Sequence, residues 1–212
     1  MTDDPRISAF GVCTPEGTLT PGYGDHYIFF AGRDDVHGIL LKLLQAETMG
    51  LKMNMFGYTD KALNDAIMIL LKNPNVAVQG TLDSFQALGA TEAAMLAADV
   101  VVNPEFYNSF VVTASATSQI SHTKGGVLIG QGLAFESSVN WSDRGEGTGI
   151  SLDPAVKPVP GYKAQNNTLV ISANPVLISR FGARLDAEHR TGLLRQARKL
   201  EKARARGLVT GP

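Results

Sequence analysis

The 212-residue chain holds one cysteine, Cys13. A lone thiol excludes an internal disulfide framework and any zinc cluster built from several cysteines. Its four histidines, His26, His37, His122 and His189, are scattered with no HExxH or paired spacing, so no metal site and no cofactor are read from the sequence. Charge of either sign is in no excess. With a net charge of −1, a nucleic-acid or anionic-membrane partner would have to be met by a local patch. No apolar run approaches the roughly 18 residues needed to span a bilayer, and the opening MTDDPRISAF lacks the basic and apolar regions of a leader. The expectation is a cytoplasmic protein with no stable membrane association.

What is present favours a sizeable core, with 44% hydrophobic and 18% charged residues. Residues 1–25, rich in Gly, Pro and Thr, read as irregular. Asp34 or Asp35 then caps a helix with Val36, Ile39, Leu40, Leu43 and Leu44 on one face, ended by Gly50. LKMNMFGY reads as a buried strand, with Met49, Met53 and Met55 as core filler. Thr59 or Asp60 caps a second helix that turns Leu63, Ile67, Leu70 and Leu71 inward, and Asn73-Pro74 stops it. VAVQGTLD is the next strand, 85–98 a third helix, and DVVVNPEF the start of a third strand. Further strands are expected at 110–114, 125–129, 132–136 and 168–172, with a long Gly/Ser/Pro-rich loop over 143–164. Asn174-Pro175 opens a last helix, Asn as cap and Pro in its first turn. The alternation predicts an α/β fold: one domain with a mixed β-sheet flanked by helices on both faces.

The chemistry gathers in SHTKGGVLIGQGLAFESSVNWS, residues 121–142. If 125–129 pairs with 132–136 through a turn at Gly130-Gln131-Gly132, residues 122–124 and 138–140 come to the same end of the hairpin. Side chains alternate along a strand, so His122 and Lys124 share a face. A neutral imidazole is a nucleophile toward phosphorus, and an ammonium beside it holds phosphate charge. The hydroxyl of Ser138 and the amide of Asn140 add donors without adding charge.

His122-Thr-Lys124, the apolar run to Gly130 and Ser138-Val-Asn140-Trp141-Ser142 resemble the HxKxxxxD and GSxNxS motifs of the phospholipase D superfamily, in particular its small members with a single HxK. The resemblance extends over about residues 34–190, including MNMFGYTDKALNDAIMILLKNPNVAVQGTLD and NNTLVISANPVLISRF. It implies a metal-independent phosphodiesterase, a nuclease, that forms a phosphohistidine on His122. Lys124 and Asn140 would bind the phosphate oxygens, with Ser138 assisting. A second histidine must protonate the leaving oxygen, which implies a homodimer sharing one two-fold symmetric site. Two positions depart from the motifs: Ile129 stands where the aspartate falls, and Asn166 aligns with the glutamate that orients the nucleophile. Glu136 and Glu146 are candidate substitutes for that acid, and Ser142, Glu146 and Asn166 are expected to border the substrate. The division expected is an irregular segment 1–33, a phospholipase D-like domain 34–190 and a basic helix and tail 191–212. Arg190, Arg195, Arg198, Lys199, Lys202, Arg204 and Arg206 face only Glu201 in that last stretch, an electrostatic handle for nucleic acid. The alternatives are a phosphate- or nucleic-acid-binding module with weakened catalysis, or an enzyme acting on phospholipid.

Overall fold

A computed structural model describes residues 26–57, 59–84, 89–102, 110–113, 119–151, 153 and 155–208. Among them, seven strands form one sheet: β1 (His26–Phe30), β2 (Gly50–Met55), β3 (Ala77–Asp83), β4 (Phe110–Thr113), β5 (Lys124–Leu128), β6 (Leu133–Ser137) and β7 (Thr168–Ser172). Their order is β1-β7-β6-β5-β2-β3-β4. β2, β3 and β4 run parallel, and the remaining pairings are antiparallel. The helices are α1 (Val36–Gln45), α2 (Lys61–Lys72), α3 (Ala90–Val102), the short α4 (Asp143–Glu146) and α5 (Pro175–Ala205).

The caps fall where the sequence put them. Asp35 accepts from the Gly38 amide, Asp60 from Leu63, and Asn174 from Val176 and Leu177 with Pro175 behind it. The inward stripes of α1 and α2 are buried as expected and meet Leu51, Met53 and Met55 on one face of the sheet. Side chains alternate, so Lys52 points to the other face and there meets α5 through Asp186 at 2.8 Å. Leu185 of α5 packs against Val127 and Ala134 on that second face, and His189 is buried against the Gly80 carbonyl at 3.1 Å. The mixed sheet with helices on both faces is realised.

Several boundaries differ. His26–Phe30, inside the segment 1–33 read as irregular, is a strand that closes the sheet edge against β7. α1 ends at Ala46 rather than Gly50, which begins β2, and Met49 is exposed rather than core. The run Asp99–Val102, read as the start of a strand, continues α3, and the third parallel strand is instead Phe110–Thr113. A short apolar run cannot be assigned to helix or strand from its periodicity alone. Residues 1–25, 58, 85–88, 103–109, 114, 152, 154 and 209–212 of the expected elements and segments lie outside the described residues. α5 is one continuous helix across residue 190. No helix among the described residues is long and apolar enough to cross a membrane.

Candidate phosphate site

The hairpin forms in the register that gathers the motif. Gly125 faces Glu136 and Leu128 faces Leu133, and the Ser137 hydroxyl donates to the Lys124 carbonyl at 3.1 Å. Residues 122–124 and 138–140 therefore lie at the end of the sheet where β2 and β3 also finish, since Met55 pairs with Lys124.

Lys124 is 2% exposed. Its ammonium lies 3.1 and 3.2 Å from the two ring nitrogens of His122 and donates to the His122 carbonyl at 2.9 Å. The Phe56 ring closes over both, 4.5 Å from the imidazole centroid and 5.1 Å from the Lys124 nitrogen. Burial lowers the Lys124 pKa to about 8. Partial desolvation and then the Lys124 charge hold His122 below its ordinary value, against an opposing pull from Asp83. The imidazole is thus neutral at neutral pH, with a lone pair available, beside a cation whose proton is loosely held.

Asp83 is fully buried at the end of β3 and accepts from the Ser121 amide at 2.5 Å. Ser121 also accepts from the Asn54 amide at 3.0 Å. Phe56, in ring contact with His122, and Asp83, which acts on it through charge, are neighbours that the HxK motif does not name. Their signal was position alone, each lying at the end of a parallel strand.

The three polar residues after the hairpin do different things. Ser138 is spent on structure: its hydroxyl donates to Asn167 at 3.1 Å and accepts from the Thr168 amide at 3.0 Å. Ser142 caps α4 by accepting from the Gly145 amide. Asn140 alone keeps its side-chain amide unspent, its carbonyl oxygen buried with no hydrogen-bond partner among the described residues. Trp141 is fully buried and stacked on Phe135, and its carbonyl takes the Thr59 and Asp60 amides at 2.7 and 3.1 Å. That tie holds the Asn140 turn beside the segment carrying Phe56.

Asn166 is exposed, and its buried neighbour Asn167 bonds Ser138 and the Gly145 carbonyl. Glu136 borders a groove on the α5 face of the sheet with His26, Arg180 and Arg184. Glu146 is buried, but its carboxylate takes His37 rather than His122 as partner. Ile129 sits at the far end of the hairpin, 43% exposed. A carboxylate does serve that tip: Glu47 Oε1 accepts from the amides of Thr48, Met49, Gly50 and Gly130 at 2.7 to 2.9 Å.

Sheet order and helix placement among the described residues are those of a phospholipase D-type fold. The same fold is found in Nuc, a phospholipase D family member from Salmonella typhimurium, with a TM-score of 0.57 and 14% identity over 79% of this chain and 97% of that one. NucT from Helicobacter pylori is similar at a TM-score of 0.53 and 12% identity, over 77% of this chain and 94% of that one. At these identities the likeness is one of fold. No family model matches the sequence, and no curated protein does.

Proposed function

We propose that the chain is a phosphodiesterase that cleaves nucleic acid through His122 without a metal in the chemistry, as a homodimer. The observation that carries the reading is the His122 imidazole held against the buried Lys124 ammonium at the strand ends. In the resting site the ammonium lies against the imidazole and donates to the His122 carbonyl. An arriving phosphate oxygen would take the ammonium as its partner, with a ring nitrogen of His122 facing phosphorus. The nitrogen would then form a bond to phosphorus as the bond to the leaving oxygen breaks, that oxygen taking a proton from the partner chain's histidine. Water would next attack the phosphohistidine and give the proton back. Asn140, unspent on structure, would donate to a non-bridging oxygen as charge grows there. The basic C-terminal half of α5 supplies phosphate contacts away from the reacting atom.

A second reading, a binding module without turnover, is favoured by Asn166, which is exposed where an orienting acid is expected. Wild type and His122→Ala, incubated with plasmid and a chromogenic phosphodiester in excess chelator, separate the two. Cleavage that persists in chelator and is lost in the variant is the expected result. DNA binding with no cleavage by either protein supports the binding module. Cleavage that survives His122→Ala removes His122 as nucleophile.

A further inference from the structure

His37, Asp60 and Glu146 come from three elements: the first turn of α1, the cap of α2 and the last residue of α4. One imidazole nitrogen and two carboxylate oxygens lie within 4.8 Å of one another. His37 Nδ1 rests against Glu146 Oε2 and is 3.4 Å from Asp60 Oδ2. The Glu146 side chain is 0% exposed, and its other oxygen, Oε1, is buried with no hydrogen-bond partner among the described residues. A buried acceptor left unpaired costs stability, and such an atom in a native protein commonly marks an ion or water that belongs there.

The electrostatics ask for the same thing. The charged groups acting on the His37–Glu146 pair are Asp35, Asp60 and Asp143, all acidic. A protonated His37 balances one negative charge and leaves the others. Asp60 Oδ1 is fixed by the Leu63 amide at 2.7 Å, which aims Oδ2 at the cluster. His37 keeps 24% of its side chain exposed, enough for entry and for a water on the open side.

We infer that His37, Asp60 and Glu146 form a binding site for a divalent transition cation such as Zn²⁺ or Mn²⁺. One imidazole and two carboxylates are donors that suit both ions, with water completing the coordination. The ion stands apart from the His122 chemistry. It ties α1 and α2 to the turn that follows Asn140 and Trp141, whose carbonyl already holds Thr59 and Asp60. Only that positioning role rests on the proposed phosphodiesterase reading; binding itself does not.

The test uses full-length protein stripped with chelator and titrated with Zn²⁺ and, separately, Mn²⁺ by calorimetry. Co²⁺ absorption reports the coordination. The expected result is one ion per chain, a higher melting temperature when it is bound, and an affinity at least about tenfold weaker in Glu146→Gln and His37→Gln. Asp60→Asn keeps the helix cap and loses the anionic ligand, so it tests the site if either other variant fails to fold. His26→Gln, at a histidine outside the cluster, should bind as wild type does. Absent binding, binding unchanged by the cluster variants, or equal loss in His26→Gln would each overturn the site. None of these readouts needs cleavage, so an inactive protein that binds one ion leaves this inference standing and removes only the catalytic reading.

Discussion

The Lys124 ammonium lies 3.1 Å from Nδ1 of His122 while donating to that residue's own carbonyl at 2.9 Å, and no carboxylate among the described residues pairs with it. A cation buried against a neutral ring and a peptide oxygen is stable enough to form yet eager to find an anion. Phosphate is the anion that the proposed function assigns to it.

This burial has a consequence for folding. Lys124 titrates at about 8 in the folded protein and about 10.4 when unfolded, so the unfolded chain holds more protons between those values. Stability attributable to this residue therefore rises with pH across that window, by up to about 3 kcal/mol. Thermal melts of wild type from pH 7.5 to 10 should show that rise against Lys124→Met, in which it is absent. A slope shared by both proteins would assign the effect to other groups.

The titration of His122 should respond to its neighbours in opposite directions. Removing the Lys124 charge in Lys124→Met lifts the His122 midpoint, and Asp83→Asn lowers it, because Lys124 opposes and Asp83 favours the imidazolium. Proton NMR of the imidazole reads both shifts directly. Movement in the same direction would contradict the assigned surroundings.

Asn140 and Ser138 should separate binding from folding. Asn140→Ala removes an amide that holds nothing together, so it should leave the melting temperature nearly unchanged and weaken phosphate or oligonucleotide binding. Ser138→Ala breaks two bonds to the 167–168 segment and should cost roughly 1–2 kcal/mol of stability. Denaturant unfolding and binding isotherms on the two variants check this split.

Glu47 is the acid of the hairpin tip. Burial pushes its carboxyl up, but the amides of Gly50, Met49 and Gly130 and the Gln131 side chain outweigh that and hold its pKa below the ordinary value. A depressed carboxylate contributes stability that is present above its unfolded pKa of about 4.3 and is lost as pH falls through the folded value. Glu47→Gln should flatten that acid limb of the stability curve. Glu47→Ala should cost about 2–3 kcal/mol at neutral pH by stranding those amides, measured by urea unfolding.

Gly125 leaves no room for a side chain. A Cβ there would stand 2.5 Å from the Phe135 carbonyl and 2.9 Å from the Phe181 ring, and the carbonyl belongs to the neighbouring strand. Gly125→Ala should destabilise the protein by roughly 1–3 kcal/mol and displace Lys124 next to it. A melting temperature equal to wild type would show that the hairpin yields there.

Much of the fold was legible because local rules carry it. Asp35, Asp60 and Asn174 announce helix starts through a side-chain oxygen facing unpaired amides, and the apolar spacing of α1 and α2 names their buried stripes. The His122–Lys124 spacing and the Gly-rich turn were enough to place both residues at one end of a hairpin. The place of His26–Phe30 at the sheet edge was not legible because its partner is β7, some 140 residues on, and pairing at that distance leaves no local mark.

The rest belonged to the tertiary structure. A carboxylate's partner depends on which loops meet in space, so Glu146 serves His37, Glu47 serves the Gly130 turn, and Asp83 stands by His122. The sequence by itself determined the capped helices α1, α2 and α5 and that one hairpin carries an imidazole and an ammonium, since periodicity and capping act over a few residues. Only the assembled sheet decided how deeply Lys124 is buried and which acids surround which histidines, because burial and charge proximity are set by residues far apart in the chain.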